Sequence, residues 1–244
     1  NYAYFLPFVK SGKRIAYAPS MGAQLSIKTY KDRKKVIDLL NQYDAISVRE
    51  AVGARYIGEI TKMPTASVLD PTLLLNPQEY DNLIDDKPLI KGEYVFIYSP
   101  NFTEKVNEMA EALGDKYNKQ VVISQGLISK NAMLKWGRKF NIYTATGPKE
   151  FLNLCKNASI ICCDSFHAVA FSILFKKCFF VLDGMKDNRI SNLLQITHLQ
   201  NRNFSSPNEY FNAPLQMDFT QPLGALEIER RKSLEWLKEH LDVC

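Results

Sequence analysis

The chain has 244 residues, of which 46% are hydrophobic and 23% are charged, with 11 glycines and 11 prolines. This balance is typical of a globular protein and excludes disordered, collagen-like and disulfide-scaffold classes. The longest apolar-rich stretch, residues 159–182, is interrupted by Asp164, His167, Lys176 and Lys177. Its apolar pieces are too short for a bilayer span of about 20 residues, so we expect no transmembrane segment.

The net charge of +5 comes from 31 basic and 26 acidic residues and is spread along the chain, apart from a basic cluster at residues 28–35. Such an excess suits an anionic small substrate as well as a nucleic acid. The cluster contains no stacking aromatic residue beyond Tyr30, and no nucleic-acid-binding motif is found, so we expect no nucleic-acid partner. A non-catalytic module that binds a polyanion or a polysaccharide stays open as an alternative.

The cysteines fit neither a CxxC motif nor an alternating Cys/His ligand spacing. They are Cys155, Cys162, Cys163, Cys178 and Cys244. We interpret them as reduced thiols, which favours a cytoplasmic location, and we expect no bound metal. The chain begins without Met and lacks the features of a signal peptide, so we also expect that it is a fragment of a longer protein.

The first part of the chain alternates strand and helix patterns. Strands are predicted at residues 14–18, 45–48 and 66–69, and helices at residues 31–43 and 49–60. A βαβαβ alternation predicts a parallel sheet covered by helices.

Residues 76–93 contain prolines, Gly92 and five acidic residues with little periodicity, which indicates a linker. A second α/β alternation follows it. Its strands are predicted at residues 94–98, 120–124, 159–163 and 178–182, its helices at residues 103–113, 148–156, 165–175 and 190–194, and a terminal helix at residues 227–241. We therefore predict an N-terminal lobe at residues 1–88, with the helix in residues 225–244 packing back on it, and a C-terminal lobe at residues 89–224.

Parallel sheets of this kind bind ligands at the carboxyl ends of their strands. One such position carries Asp164, Ser165 and His167. Asp164 or Ser165 can cap the following helix, and His167 lies in its first turn, where backbone N–H groups favour a bound anion. The alternative is a capped helix whose histidine packs under a loop.

Arg49 follows the second predicted strand. Its planar guanidinium group suits bidentate binding of a carboxylate or a phosphate. The alternative is an Arg49 that pairs with Glu50 or with another acid at the sheet edge. Asp70 precedes Pro71, which favours a role in organising the turn rather than in chemistry.

Motifs of several other reaction classes are missing. The sequence contains no GxxxxGK[ST], GxGxxG, GxSxG or HExxH motif. P-loop nucleotide hydrolysis, a dinucleotide fingerprint, a hydrolase elbow and a zincin are therefore unsupported.

Four segments in this order resemble the polysaccharide pyruvyl transferase family, over roughly residues 14–202. They are SVRE at residues 47–50, VLDPTLLL at residues 68–75, DSFHAVAFS at residues 164–172, and NRI at residues 188–190 followed by Leu193, Leu194 and residues 199–202.

The resemblance implies an α/β fold of two Rossmann-like lobes of glycosyltransferase-B type, with the first lobe truncated at its N-terminus. It implies a transferase that moves the enolpyruvyl unit of phosphoenolpyruvate onto two hydroxyls of a sugar as a cyclic ketal, in a polysaccharide or its lipid-linked precursor. No cofactor is expected beyond phosphoenolpyruvate as co-substrate. A lipid-linked acceptor would bring the enzyme to the membrane surface as a peripheral protein.

In this interpretation His167 is the catalytic acid or a phosphate ligand, and the substrate-binding residues are Arg49, Ser165, Arg189 and Ser20. Arg49 would bind the carboxylate or phosphate of the donor, and Arg189 the departing phosphate. The chain has Ser165 where the family pattern has an arginine. A glycosyltransferase that uses a nucleotide sugar on the same fold therefore stays open as an alternative.

Overall fold

The computed structural model of the protein describes residues 2–22, 31–84, 87–100, 103–124, 130–136, 139–144 and 147–241. Part of the basic cluster at residues 28–35, and Cys244, lie outside these ranges. The chain divides into two compact units. The first consists of Asn1–Leu74, Lys186–Asn192 and Ala225–Cys244, and the second of Leu75–Met185 and Leu193–Gly224.

The first unit contains a parallel sheet of strands β1 (Ile15–Ala16), β2 (Ala45–Val48) and β3 (Thr65–Ser67), in the order β1-β2-β3. Helix α1 (Arg33–Leu40) precedes β2, and α2 (Ala51–Thr61) follows it. The Asp32 side chain caps α1 by accepting a hydrogen bond from the Lys35 N–H at 3.0 Å. Apolar side chains of both helices pack with β2 in one core, which places β2 in the buried middle of the sheet.

The second unit contains a larger parallel sheet. Its strands are β4 (Tyr94–Tyr98), β5 (Gln120–Ser124), β6 (Phe140–Tyr143), β7 (Ile160–Cys163), β8 (Cys178–Leu182) and β9 (Asn203–Phe204). They lie in the order β6-β5-β4-β7-β8-β9. Its helices are α3 (Glu104–Tyr117), α4 (Lys130–Trp136), α5 (Pro148–Asn157), α6 (Phe166–Leu174) and, after α7 (Asn188–Ile196), α8 (Pro207–Phe211). The residues of α7 through Asn192 belong to the first unit.

The middle strands β4 and β7 pair directly, with Val95 opposite Ile160 and Ile97 opposite Cys162. Both strands are almost wholly buried. Helix α6 is apolar on nearly all sides, and a helix of that kind is stable only when it is buried. The carboxyl ends of β4 and β7 and the start of α6 therefore adjoin the buried middle of this sheet.

The last helix, α9 (Thr220–Leu241), contributes its residues from Ala225 onward to the first unit. Ser233 Oγ accepts a hydrogen bond from the Leu69 N–H at 2.9 Å, and Arg230 Nε donates to the Leu73 carbonyl at 2.9 Å. These bonds attach α9 to the segment that follows β3. The apolar periodicity predicts this helix on the same lobe but only from residue 227, because Pro222 and Gly224 interrupt the pattern.

The described 3-10 turns are Tyr2–Phe5, Pro71–Leu73, Pro77–Leu83, Gly184–Lys186 and Gln200–Arg202. The turn Pro77–Leu83 lies where the sequence suggested a linker. Tyr80 in this turn is buried, and its ring packs edge-on against Phe171 at 5.0 Å. Asn153 in α5 binds both the Leu89 N–H and the Lys87 carbonyl. Residues 75–84 and 87–88, assigned to the first lobe from sequence, therefore lie in the second unit.

Among the helices of the described ranges, none combines the length and the hydropathy of a membrane span. The four cysteines in those ranges are free thiols. Burial raises the pKa of Cys163 to about 12 and that of Cys178 to about 11, so both thiols are protonated at neutral pH.

Candidate functional site

Glu50 anchors the segment that follows β1 in the first unit. This residue directly precedes α2 and is only 1% exposed. Its carboxylate accepts hydrogen bonds from Ser20 Oγ and from the Met21 N–H, the latter at 3.1 Å. A Cβ at Gly53 would lie 2.9 Å from Met21 Cγ and 3.5 Å from Glu50 Oε2, so the glycine leaves the room that this contact needs. Ser20, predicted as a substrate contact, is thus held by a buried acid.

Arg49 lies between two acids. Its Nη1 forms an ion pair with Asp70, its Nε lies 3.7 Å from Glu50 Oε1, and its side chain is 14% exposed. The other oxygen of Asp70 accepts hydrogen bonds from the N–H and the hydroxyl of Thr72, at 3.0 and 2.7 Å. Asp70 therefore organises the turn after β3 and also holds Arg49. These partners agree with the alternative interpretation, in which Arg49 pairs with acids at the sheet edge. A contact between Arg49 and substrate stays a prediction.

Arg189 forms a bidentate pair with Asp187, a residue that the sequence analysis did not single out. Its Nε lies 3.0 Å from Oδ1 and its Nη2 lies 2.5 Å from Oδ2. Burial raises the pKa of Asp187, but hydrogen bonds from Arg189 outweigh burial and bring that pKa below its ordinary value. The hydrogen bond from Arg189 to Asp187, and the nearby charge of Glu50, raise the pKa of Arg189.

Asn192 joins the middle of α7 to the start of α2. Its Nδ2 donates to the Arg49 carbonyl at 3.1 Å, and its Oδ1 accepts from the Ala51 N–H at 3.3 Å. The amide thereby binds the backbone on both sides of Glu50. Asn192 lies within the segment that carries the NRI motif, and this proximity was the only signal for it in the sequence.

Asp164 organises the carboxyl ends of β4 and β7 in the second unit. Its Oδ2 accepts hydrogen bonds from Ser99 Oγ at 3.0 Å and from Thr103 Oγ1 at 2.5 Å. The Thr103 N–H in turn donates to Ser99 Oγ at 3.0 Å. Among the described residues, Asp164 Oδ1 is buried and has no hydrogen-bond partner. Asp164 therefore connects the ends of two strands to the start of α3 instead of capping α6.

Ser165 and His167 lie at the start of α6. Ser165 is the N-cap residue, and its hydroxyl makes no capping bond. His167 occupies the first turn and is exposed, and its ring packs edge-to-face against Phe166 at 5.3 Å. An exposed imidazole at a helix N-terminus can exchange a proton with a ligand and lies where anions are favoured. The positions predicted for both residues agree with the structure, and their roles stay predictions.

The structure thus brings Ser20, Arg49 and Arg189 together around Glu50 in the first unit, and Ser165 and His167 together in the second. Within the described part of the chain, no group of three or more metal-ligating side chains could hold a metal ion.

Two solved structures resemble this fold. A structure of UDP-N-acetylglucosamine 2-epimerase from Rickettsia bellii matches with a TM-score of 0.52 and 14% identity, over 86% of this chain and 62% of that one. An E. coli structure described as trehalose-6-phosphate bound with UDP-2-fluoro glucose matches with a TM-score of 0.52 and 8% identity, over 90% of this chain and 63% of that one. The chain therefore spans less than two thirds of the length of either protein.

At such low sequence identities, the two structural matches bear on the fold alone. These matches and the parallel sheets confirm the predicted fold class, an α/β protein of glycosyltransferase-B type. No curated protein sequence matches the chain with significant similarity.

The sequence profile of a family described as polysaccharide pyruvyl transferase matches residues 1–184. This match covers well over half of the chain. It includes the polar residues described around Glu50 and around Asp164, but not Asp187, Arg189 and Asn192. It confirms the resemblance first seen in the SVRE, VLDPTLLL and DSFHAVAFS segments. The chain belongs to the polysaccharide pyruvyl transferase family, a family of transferases.

Proposed function

We propose that the protein transfers the enolpyruvyl unit of phosphoenolpyruvate to two hydroxyl groups of a sugar, as a cyclic ketal, in a polysaccharide or its lipid-linked precursor. Family membership supports the reaction class. The observation that carries the proposal is the exposed His167 in the first turn of α6, directly beyond the carboxyl end of a buried parallel strand. This is the edge at which such sheets bind their ligands.

The chemistry needs one acid and proceeds in two additions. His167 gives a proton to the methylene carbon of phosphoenolpyruvate, and the first sugar hydroxyl forms a C–O bond to C2 and returns its proton to the His167 imidazole. The second hydroxyl then forms another C–O bond to C2 while the bond from C2 to the phosphate oxygen breaks. Inorganic phosphate leaves with the electron pair of that bond and takes up the proton of the second hydroxyl. A histidine suits the first step because its pKa lies near neutral pH.

The backbone N–H groups at Ser165 and in the first turn of α6 would bind an anionic group of the donor. Ser20, Arg49 and Arg189 would contact substrate on the first unit. We propose no cofactor beyond phosphoenolpyruvate as co-substrate, and no nucleic-acid partner. A cytoplasmic location suits the free thiols of the described residues, and a lipid-linked acceptor would bring the protein to the membrane surface.

Phosphate release from phosphoenolpyruvate, measured with a panel of oligosaccharide acceptors, tests this proposal. His167→Asn should lower the rate of release by about 10²- to 10⁴-fold, as expected for the loss of a general acid, while calorimetry finds donor affinity largely kept. His198→Asn is the matched control, because His198 is also exposed and its positive φ of 57° is one that asparagine tolerates. This control should keep the wild-type rate.

If His167→Asn lowers donor affinity as strongly as it lowers the rate of phosphate release, His167 is a phosphate ligand instead of the acid. A protein that neither binds phosphoenolpyruvate nor releases phosphate would refute the proposal. A nucleotide-sugar-dependent glycosyltransferase would then be favoured. Asp164 supports that alternative, because a carboxylate at a strand end can accept hydrogen bonds from ribose hydroxyls and its Oδ1 has no partner in the described residues. Calorimetry with UDP-sugars would test it.

A further inference from the structure

The two arginines selected from the sequence as anion ligands are both bound to acids in the first unit. Arg49 pairs with Asp70 and lies near Glu50, and Arg189 pairs with Asp187 through two hydrogen bonds. The charge of Glu50 also acts on Arg189 and raises its pKa. We call these five residues the acid–arginine cluster.

The acid–arginine cluster carries two guanidinium groups and three carboxylates, which leaves one negative charge in excess. Three of its members are well shielded from solvent, since the side chains of Arg49, Glu50 and Asp70 are 14%, 1% and 5% exposed. Charges in such surroundings are screened less than charges on the surface. An incoming phosphate or carboxylate would meet this excess charge and would have to displace an acid from its arginine.

A neutral hydroxyl group is not repelled by the excess negative charge and does not need to displace an acid from its arginine. A hydroxyl can donate to a carboxylate oxygen and accept from a guanidinium N–H at the same time. Asp187 and Arg189 offer these two kinds of group side by side, at 16% and 30% exposure of their side chains. Both are therefore open enough for a ligand to reach, while Asn192, on the same helix as Arg189, is hydrogen-bonded to the Arg49 carbonyl and the Ala51 N–H.

We propose that the acid–arginine cluster binds the neutral hydroxyl groups of the acceptor sugar, through Asp187 and Arg189, and not the anionic groups of the donor. The proposal rests on the proposed function for the identity of the acceptor as a sugar. Arg189 then binds a neutral sugar hydroxyl, whereas the sequence suggested that it binds the departing phosphate.

Arginine side-chain NMR tests the proposal on the whole chain. The protein, labelled with ¹⁵N at arginine, is titrated with methyl glycosides of glucose, galactose and mannose, with the disaccharides lactose and maltose, and separately with phosphoenolpyruvate. We expect at least one sugar to shift the Nε–H signal of Arg189, assigned by its loss in Arg189→Gln. Phosphoenolpyruvate should leave that signal in place.

Arg189→Gln should weaken binding of that sugar by about 5- to 10-fold, the scale of one or two lost hydrogen bonds, and should change the Kd of phosphoenolpyruvate by less than about twofold. Arg231→Gln is the matched control, because Arg231 is exposed on α9 of the same unit, and it should change neither affinity. Asp187→Asn keeps the shape of the pair and should also weaken sugar binding. Circular dichroism of both variants at the temperature of the titrations checks that each is folded.

The proposal is overturned if no sugar of the panel shifts the Arg189 signal, or if Arg189→Gln weakens phosphoenolpyruvate binding instead. Failure of the proposed function looks different. In that case phosphoenolpyruvate would not bind and His167→Asn would have no effect, while the dependence of sugar binding on Arg189 and Asp187 would persist.

Discussion

Glu50 shows how much a single residue can contribute at the start of a helix. In the sequence it is one half of an Arg-Glu pair, and only the fold shows that it is buried and accepts hydrogen bonds from Ser20 and Met21. The sequence offered no means of telling it from an exposed acid, because burial depends on how the segment after β1 packs on α2.

Glu50→Gln should destabilise the protein by about 1–3 kcal/mol, because the amide can satisfy only part of this arrangement and a buried donor loses its partner. Urea unfolding at neutral pH measures the change. Glu59→Gln, an exposed substitution on the same helix, should change the free energy of unfolding by less than about 0.5 kcal/mol. Equal effects of the two substitutions would contradict the role given to Glu50.

Asp187 makes the stability of the protein depend on pH. Hydrogen bonds from Arg189 outweigh its burial and lower its pKa in the folded state. A carboxyl whose pKa is lowered by folding stabilises the protein above its unfolded pKa, about 4, and this contribution disappears as the pH falls through the folded value.

Wild type should therefore be more stable than Asp187→Asn at pH 7, and the difference should shrink as the pH falls below about 4. Urea unfolding of both proteins at pH 7, 5 and 3.5 measures it. A difference that stays constant across this range would show that Asp187 stabilises the fold by its shape alone.

Among the elements, α3 packs closely on β5 through a glycine. A Cβ at Gly114 would lie 2.7 Å from Val121 Cγ2 and 3.0 Å from the Lys119 carbonyl oxygen. The second atom belongs to the backbone, so the contact cannot be relieved by a rotation of a side chain. The sequence marks Gly114 only as a poor helix former, because the close approach depends on the strand that follows.

Gly114→Ala should destabilise the protein by about 1–3 kcal/mol, the usual cost of overpacking a core. The matched control is Gly224→Ala in α9, where an added Cβ would have no neighbour within 4 Å. Alanine favours helix, so this control should stabilise the protein by up to about 1 kcal/mol. Thermal unfolding followed by circular dichroism measures both, and a neutral Gly114→Ala would refute the close approach of α3 to β5.

On the scale of the whole molecule, the described residues form two sheets with separate hydrophobic cores. In the first unit, the Ser233 hydroxyl accepts a hydrogen bond from the buried Leu69 N–H. In the second unit, Ser172 is fully buried in α6 and donates to the Ala168 carbonyl. A local defect in one core should therefore have its main effect within the unit that contains it.

Hydrogen exchange with mass spectrometry tests this separation with two matched substitutions. Ser233→Ala should raise exchange in peptides covering residues 65–74 and leave those covering residues 160–174 near the wild-type level. Ser172→Ala should do the reverse. A uniform rise across both units for either substitution would show that they unfold as one cooperative body.

The fold class and most of the helices and strands could be predicted from the amino-acid sequence. Strands β2, β4, β5 and β8 have the bounds that their apolar runs predicted, because buried parallel strands are continuous apolar segments between polar turns. The family was also readable from the sequence, since its motifs follow strand ends whose position the alternation already indicates.

The remaining features of the fold and of the site depend on tertiary contacts. Strands β6 and β9 were not predicted, because a short edge strand acquires its conformation from the neighbour with which it pairs. The division after Leu74 depends on where Tyr80 is buried, and the partners of Arg49 and Arg189 depend on which loops meet at one sheet edge. Charge and hydrogen bonding at a site are properties of groups distant in sequence, so the electrostatic character of the acid–arginine cluster could be known only after folding.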